Sequence, residues 1–125
     1  MSQTDPMNAI SAIDGRYQGK TKALAAICSE FGLMKFRTKV ECRWVAFLGD
    51  LTEVAELPAL GADDKQFLDS VINNFDEAAA SRIKAFEATT NHDVKAVEYY
   101  LKQRFSERET LAPLSEWIHF ACTSE

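Results

Sequence analysis

Three short groups of polar residues could do chemistry in this chain of 125 residues. Arg16 and Tyr17 lie in the sequence DGRY, where a forked cation and a phenolic hydroxyl would suit a phosphate or a carboxylate. Residues 89–93, TTNHD, bring hydroxyl, amide, imidazole and carboxylate groups together before a helical pattern. Thr123 and Ser124 add two hydroxyl donors near position 125. Each group could bind a small anionic molecule.

Each group also has a purely structural explanation. DGRY is typical of a turn in which Gly15 adopts a positive φ. In TTNHD, Asn91 would cap the next helix and Asp93 would complement its dipole, which leaves the other three residues unexplained. Alternatively, a helix N-terminus with free N–H groups can hold an anion, and His92 could carry charge or pass a proton near neutral pH. The hydroxyl pair alone would equally suit a frayed helix end.

Several other classes of site and partner are not supported by the sequence. No metal site is expected, because His92 and His119 are far apart and no HxxH or HExxH spacing occurs. There is no glycine-rich phosphate loop, whereas a Cys–His pair that meets only in space stays open. The net charge of −5 argues against general binding to nucleic acid or anionic membranes. The longest apolar runs fall short of the roughly 18 residues of a membrane span.

The three cysteines are widely separated and form no CxxC pair. This spacing is typical of reduced, mostly buried thiols and predicts a cytosolic location.

The elements that would carry these groups are predicted to be helices. Between residues 21 and 51, apolar residues recur at steps of three and four, which predicts one buried stripe. Met34, Val45 and Leu48 widen this apolar face, so contacts on more than one side are expected. Gly32 is expected to interrupt this helix near residues 29–31. The members of the stripe are Leu33, Phe36, Val40, Trp44, Phe47 and Leu51.

Four further helices are predicted. The first opens with Asp63 and Asp64 after a turn at Pro58 and Gly61. The other three begin at Asp76, Asp93 and Pro113. No segment alternates as a strand would, so the predicted class is all-α with five helices. His119 is expected to be a satisfied buried histidine. Helical spacing also predicts that seven aromatic residues lie in the core: Phe36, Trp44, Phe47, Phe67, Phe75, Phe86 and Trp117.

Four segments taken together resemble the N-terminal region of the bacterial adenylosuccinate lyases, which are members of the fumarase/aspartase superfamily. These segments are SAIDGRY, FGLMKFRTKVECRW, TTNHDVKAVEYYL and WIHFACTSE, in this order and at these separations. The resemblance covers the chain from Ile13 to Glu125 apart from a divergent patch at residues 53–64, and TNHDVKAVEY with HFACTSE carries most of its specificity.

The resemblance implies an all-α lyase of three domains that assembles as a homotetramer and needs no cofactor or metal. It implies elimination of fumarate from adenylosuccinate, giving AMP, and from the succinylated aminoimidazole carboxamide ribotide of purine biosynthesis. The expected divisions are an extended arm at residues 1–19, an N-terminal helical domain at 20–112, and the start of the central helical domain at 113–125.

The resemblance also assigns roles to the three polar groups. Arg16 and Tyr17 match a nucleotide-binding pair, expected near phosphate and ribose. Asn91, His92 and Asp93 match a second substrate-binding segment, in which His92 would orient the substrate or balance its charge. A third segment holds the carboxylates of the succinyl part, and its matching residues are Thr123 and Ser124.

No catalytic residue of the family is matched within the 125 residues. The THGQPATP-like segment with its general-acid histidine and the SSTMPHKVNP-like loop with its base serine are both missing. The sequence therefore predicts a fragment that is silent by itself and truncated before the central bundle, with apolar surface left exposed or self-associated. Two alternatives are a stand-alone helical interaction domain and a non-catalytic nucleotide-binding module.

Overall fold

The computed structural model describes residues 5–124, and every regular element in this range is helical. The prediction of an all-α chain is thereby confirmed for the described residues. The six α-helices are α1 (Gln18–Thr21), α2 (Ala25–Cys28), α3 (Glu30–Asp50), α4 (Ala62–Asn73), α5 (Glu77–Thr90) and α6 (Asp93–Phe105). Two short 3-10 helices, Lys22–Leu24 and Ala112–Trp117, complete the elements.

The chain divides into two compact units, one up to Leu33 and one from Met34 onward. Residues 5–17 of the first unit form successive turns before α1. Residues 1–4 of the expected arm, and Glu125, lie outside the described residues. The expected divisions at residues 19 and 112 stay predictions.

The interruption predicted near residues 29–31 is confirmed, and it lies at Ser29. The backbone of this residue is extended, with ψ of 168°, between α2 and α3. Gly32 is required just after the break, because a Cβ atom there would lie 2.3 Å from the carbonyl oxygen of Ile27. The Ser29 hydroxyl accepts a hydrogen bond from the Gly32 N–H at 3.1 Å and so fixes the first turn of α3.

The predicted buried stripe of α3 is wrong about which face is buried. Leu33, Phe36, Val40 and Phe47 are 44–63% exposed. α3 carries apolar residues on two sides, and both sets have helical spacing. Periodicity alone therefore does not show which side is buried. The buried residues of α3 are Gly32, Met34, Thr38, Glu41, Cys42, Val45, Leu48 and Gly49.

The core of the second unit lies around the pair α5 and α6, which pack against each other. α5 begins where it was predicted to begin, because the Asp76 carboxylate accepts a hydrogen bond from the Ala79 N–H at 2.9 Å. The Phe75 and Tyr100 rings meet edge to face at 6.3 Å. Among the seven predicted core aromatics only Phe75 is buried, whereas Phe36 and Phe47 are exposed and the others are half-buried.

The start of α4 is held by a buried carboxylate. Asp63 and Asp64 open this helix as predicted, but neither side chain caps it, and Gly61 occupies the N-cap position. Instead, Asp64 is buried and accepts hydrogen bonds from Arg108 at 2.8 Å and Thr110 at 2.7 Å. This contact ties α4 to the segment that follows α6.

The final helix predicted to begin at Pro113 is a 3-10 helix and does not continue beyond Trp117. The 3-10 helix ends there, Ile118 has an extended backbone, and His119 and Ala121 have positive φ values of 64° and 59°. Hydrogen bonds from Glu41 and Trp44 of α3 hold this segment in its non-helical conformation.

Two further expectations concern the thiols and membrane association. All three cysteines are free, but the expectation of mostly buried thiols is wrong, because only Cys42 is buried and Cys28 and Cys122 are exposed. Across residues 5–124, none of the helices has both the length and the apolar character needed to cross a bilayer.

Candidate functional site

The junction of α5 and α6 explains most of the TTNHD cluster structurally. Asn91 was expected to cap the following helix, but it terminates the preceding one. It adopts a left-handed φ of 52° and donates its N–H to the Glu87 carbonyl at 2.8 Å. His92 is the N-cap of α6, because its Nδ1 accepts a hydrogen bond from the Lys95 N–H at 3.2 Å. Thr90 exchanges hydrogen bonds with the backbone of His92 at 3.1 and 3.2 Å.

The expectation that α6 offers free N–H groups to an anion is wrong for its first turn. The Val94 N–H donates to the Asp93 carboxylate at 2.9 Å, and the Lys95 N–H donates to His92. The Ala96 N–H donates to the His92 carbonyl at 3.0 Å. The N–H groups of Val94, Lys95 and Ala96 are therefore already paired within the protein and are not available to an anion.

The capping role of His92 fixes the chemistry that its ring can offer. An acceptor Nδ1 carries no proton, so the neutral ring has its proton on Nε2. The side chain is 43% exposed. In this state His92 is a hydrogen-bond donor toward a ligand and not a proton acceptor at Nδ1.

Asp93 is paired with α3. Its carboxylate lies 2.9 Å from the Arg37 guanidinium. Partial burial works to raise the pKa of Asp93, but the hydrogen bond from the Val94 N–H and the pairing with Arg37 outweigh it and hold this pKa below its ordinary value. Asp93 is therefore an ionised group whose negative charge is already balanced within the protein.

One face of α3 contacts the TTNHD group and the segment that leads to Thr123 and Ser124. Arg37 pairs with Asp93, and Glu41, one turn later, accepts hydrogen bonds from His119. Trp44, a further turn along, donates its indole N–H to the Phe120 carbonyl at 2.7 Å. Positions 37, 41 and 44 are spaced by four and three residues, so they lie along one line about 10 Å long.

Residues 118–124 include the partners of Glu41 and Trp44 and end with Thr123 and Ser124. Ile118 is buried, at 3% exposure, and anchors the segment in the core. Glu41 receives the His119 N–H at 2.9 Å and contacts Nδ1 of the same residue at 2.5 Å. Thr123 and Ser124 come next and are exposed. His119 is satisfied by its partner Glu41, as expected, but it is half-buried rather than buried.

The DGRY segment lies in the first unit and forms the predicted turn. The Asp14 carboxylate accepts hydrogen bonds from the Ser11 N–H at 2.9 Å and the Ser11 hydroxyl at 3.0 Å, and these two bonds lower the pKa of Asp14. Gly15 does not have the expected positive φ. It is needed for space, because a Cβ atom there would lie 3.0 Å from two carbonyl oxygens.

Arg16 and Tyr17 follow this turn and are both exposed. The Arg16 guanidinium carbon lies 5.1 Å from the centre of the Tyr17 ring, within cation–π range. The two side chains are thus placed side by side as a cation and a hydroxyl. Their roles in binding stay predictions, as do those of the other five residues.

The sequence did not reveal the contacts of Arg37, Glu41 and Trp44 in α3 with Asp93, His119 and Phe120. Their signal in the sequence is faint: two charged residues four positions apart in a helix with an otherwise apolar pattern. Such a pair normally lies on a solvated face, and only the buried position of Glu41 distinguishes it.

A surface cavity of about 240 Å³ between α3 and α4 is not part of this arrangement. Its lining includes Cys42, Lys65 and Asp69, and none of the seven predicted binding residues contributes to it. Burial, together with the negative charge of Glu41, raises the pKa of Cys42 to about 12, so this thiol is protonated and unreactive near neutral pH. No group of three or more possible metal ligands occurs among residues 5–124.

Comparison with known proteins gives a consistent result. The chain is 56% identical over 119 residues to adenylosuccinate lyase of Vibrio cholerae serotype O1, which is 95% of this chain and 26% of that protein. It is 52% identical over 123 residues to adenylosuccinate lyase of Haemophilus influenzae, or 98% of this chain and 27% of that protein. Identity to adenylosuccinate lyase of Escherichia coli strain K12 is 51% over 119 residues, 95% of this chain and 26% of that protein.

The alignments therefore cover nearly all of this chain but only part of each relative. No protein-family model matches the chain. The chain spans about a quarter of the length of these curated relatives. It is homologous to the adenylosuccinate lyases and corresponds to their N-terminal region.

Proposed function

We propose that this chain is the N-terminal region of an adenylosuccinate lyase. The observation that carries the proposal is the identity of 51–56% to three adenylosuccinate lyases over at least 95% of the chain. The complete enzyme would eliminate fumarate from adenylosuccinate to give AMP. It would act likewise on the succinylated aminoimidazole carboxamide ribotide, within purine biosynthesis in the cytoplasm and as a homotetramer.

Within that enzyme, the chain would supply part of the wall that binds the substrate. Arg16 and Tyr17 would contact the phosphate and ribose as a cation and a hydroxyl placed side by side. Thr123 and Ser124 would donate hydrogen bonds to the succinyl carboxylates.

The α5–α6 junction would contribute a third part of the wall. His92 would orient the substrate through its Nε2–H, because its Nδ1 already caps α6. Asp93 would act next to it as an ionised carboxylate paired with Arg37, and Asn91 would present an exposed amide from its left-handed turn.

The chain alone would carry out no turnover. β-Elimination requires a base that removes the proton beside the carboxylate and an acid that protonates the leaving nitrogen. No residue within these 125 positions matches the histidine or the serine with those roles. Fumarate release by the 125-residue chain should not exceed that of buffer, and turnover by the chain alone would contradict this part of the proposal.

The proposal is tested in the full-length polypeptide by following fumarate release from adenylosuccinate by absorbance. We expect His92→Ala, Arg16→Ala and Ser124→Ala each to lower kcat/KM by about tenfold or more, because each removes a hydrogen bond to a charged group. Arg43→Ala is the control, since Arg43 forms an exposed ion pair with Asp69 away from these groups.

Two results would contradict the assignment. If all three variants retain the kcat/KM of the wild type, these residues do not bind substrate. If the full-length protein binds AMP without any lyase activity, the chain belongs to a non-catalytic nucleotide-binding module.

A further inference from the structure

The backbone just before Thr123 and Ser124 follows an unfavourable path. His119 and Ala121 both have left-handed φ values, 64° and 59°. Neither is glycine, and residues with a Cβ atom rarely adopt this region. Such conformations persist only where the surrounding structure imposes them, and they cluster at sites that need defined geometry.

Two side chains of α3 impose this path. Glu41 accepts the His119 N–H through Oε2 at 2.9 Å and contacts the ring Nδ1 through Oε1 at 2.5 Å, so both carboxylate oxygens bind one residue. Trp44 fixes the next carbonyl, that of Phe120, at 2.7 Å. These bonds hold the N–H of left-handed His119 and the carbonyl that precedes left-handed Ala121. Thr123 lies only three positions beyond Phe120.

The stability of the fold does not explain why a carboxylate, that of Glu41, occupies this position in α3. Glu41 is 7% exposed and lies on the buried face of α3 beside apolar residues such as Val45 and Leu48. Burying a charged group is unfavourable, and a well-packed apolar residue is often at least as stabilising as a buried polar pair. Bidentate binding by Glu41 does, however, fix both the backbone and the ring of His119 in one orientation.

We infer that Glu41 and His119 act as positioning residues, which set the direction of Thr123 and Ser124 toward the carboxylates of the succinyl group. This inference rests on the proposed function. Neither residue is assigned to contact the substrate, since the His119 side chain is only 16% exposed and its Nδ1 is engaged by Glu41. Their effect is exerted through the three-residue connection from Phe120 to Thr123.

The test uses the full-length polypeptide with Glu41→Gln and His119→Asn. Glutamine keeps the volume of Glu41 but removes its charge, and asparagine tolerates the left-handed φ of His119. Asp50→Asn is the control, because Asp50 is an exposed carboxylate on the same helix. We measure kcat/KM for adenylosuccinate and the inhibition constant of AMP, which has the nucleotide but lacks the succinyl group.

We expect kcat/KM to fall by about tenfold to a hundredfold in both variants, the range for losing a hydrogen bond to a charged group. The inhibition constant of AMP should stay within about twofold of the wild-type value, and Asp50→Asn should change neither quantity. A purely structural contact would weaken AMP binding and turnover together, so that result would overturn the inference. Loss of the fold in both variants, judged by circular dichroism, would also overturn it.

The two proposals fail in different ways. If the full-length wild type shows no lyase activity, the proposed function is wrong. If it is active and both variants match it, only the positioning role is wrong.

Discussion

His92 shows how one residue combines a structural role with a proposed binding role. Its Nδ1 satisfies the Lys95 N–H at the start of α6, while its ring is 43% exposed. A capping acceptor can be supplied by asparagine, whereas an Nε2–H donor on a ring cannot. Substitution can therefore separate the two roles.

We predict that His92→Ala lowers the free energy of unfolding of the 125-residue chain by about 1 kcal/mol, the usual effect of losing an N-cap. His92→Asn should recover most of this stability, because asparagine is among the best N-cap residues. Urea unfolding followed by circular dichroism measures both. Equal destabilisation by the two variants would show that the cap is not what His92 contributes to stability.

Arg37 and Asp93 provide a prediction about pH. Burial works to raise the pKa of Asp93, but the Val94 N–H and Arg37 lower it below the ordinary value of 3.8. Because the folded-state pKa is the lower one, the ionised carboxylate stabilises the fold above pH 3.8, and this stabilisation is lost as the pH falls through the lowered pKa. We expect Arg37→Gln to move the pKa of Asp93 back up.

An NMR titration of the Asp93 carboxyl carbon measures this shift directly. Arg43→Gln is the matched control, since Arg43 lies on the same helix but pairs with Asp69. An Asp93 pKa that is the same in Arg37→Gln and the wild type would show that the ion pair does not contribute to the shift.

The local part of the site could be predicted from sequence, and the long-range part could not. The turn at DGRY and the helix start at Asp93 depend on neighbouring residues, and both predictions are confirmed. The hydrogen bond between Glu41 and His119 joins residues 78 positions apart. No pattern within one helix indicates such a partner, because it depends on how the helices pack.

At the scale of elements, α3 shows the same distinction. Its periodicity correctly predicted a long helix and the break before it. Its main buried stripe was predicted wrongly, since Val40 and Phe47 are exposed. Val45 and Leu48, which were expected only to widen that stripe, are the buried residues. Both faces have helical spacing, so the choice between them is made by the partners of α3 rather than by its own sequence.

The junction of α2 and α3 gives a prediction for a single methyl group. We expect Gly32→Ala to lower the hydrogen-exchange protection of the Leu33 amide, which donates to the Ser29 carbonyl at 2.9 Å, by about 1–3 kcal/mol. The reason is that the new Cβ atom would lie 2.3 Å from the Ile27 carbonyl oxygen, and backbone must move to accommodate it. Exchange measured by mass spectrometry or NMR reports the change.

Gly19→Ala is the control for this substitution. It lies in α1, its Cβ atom would meet nothing within 4 Å, and alanine favours helix. We expect protection in α1 to be unchanged or slightly higher. Equal loss in the two variants would mean that backbone freedom, and not the clash, explains the effect.

At the scale of the whole chain, one apolar face of α3 stays exposed after the chain has folded. Phe36, Val40 and Phe47 lie within about 40° of one another around the helix and are 44%, 63% and 53% exposed. The relatives are about four times as long as this chain, which spans 26–27% of them. An apolar face of this kind is typical of a surface that contacts other parts of a larger protein.

We therefore predict that the 125-residue chain self-associates through this face. Sedimentation velocity should show dimers or larger species that increase with protein concentration. Replacing Phe36, Val40 and Phe47 with glutamine should weaken association by at least about tenfold, because each substitution removes apolar area from the contact. Lys39→Gln, on the same helix and also exposed, should leave association unchanged. Because glutamine is a good helix former, α3 should persist in the triple variant, so a triple variant that associates as strongly as the wild type would exclude this face from the contact.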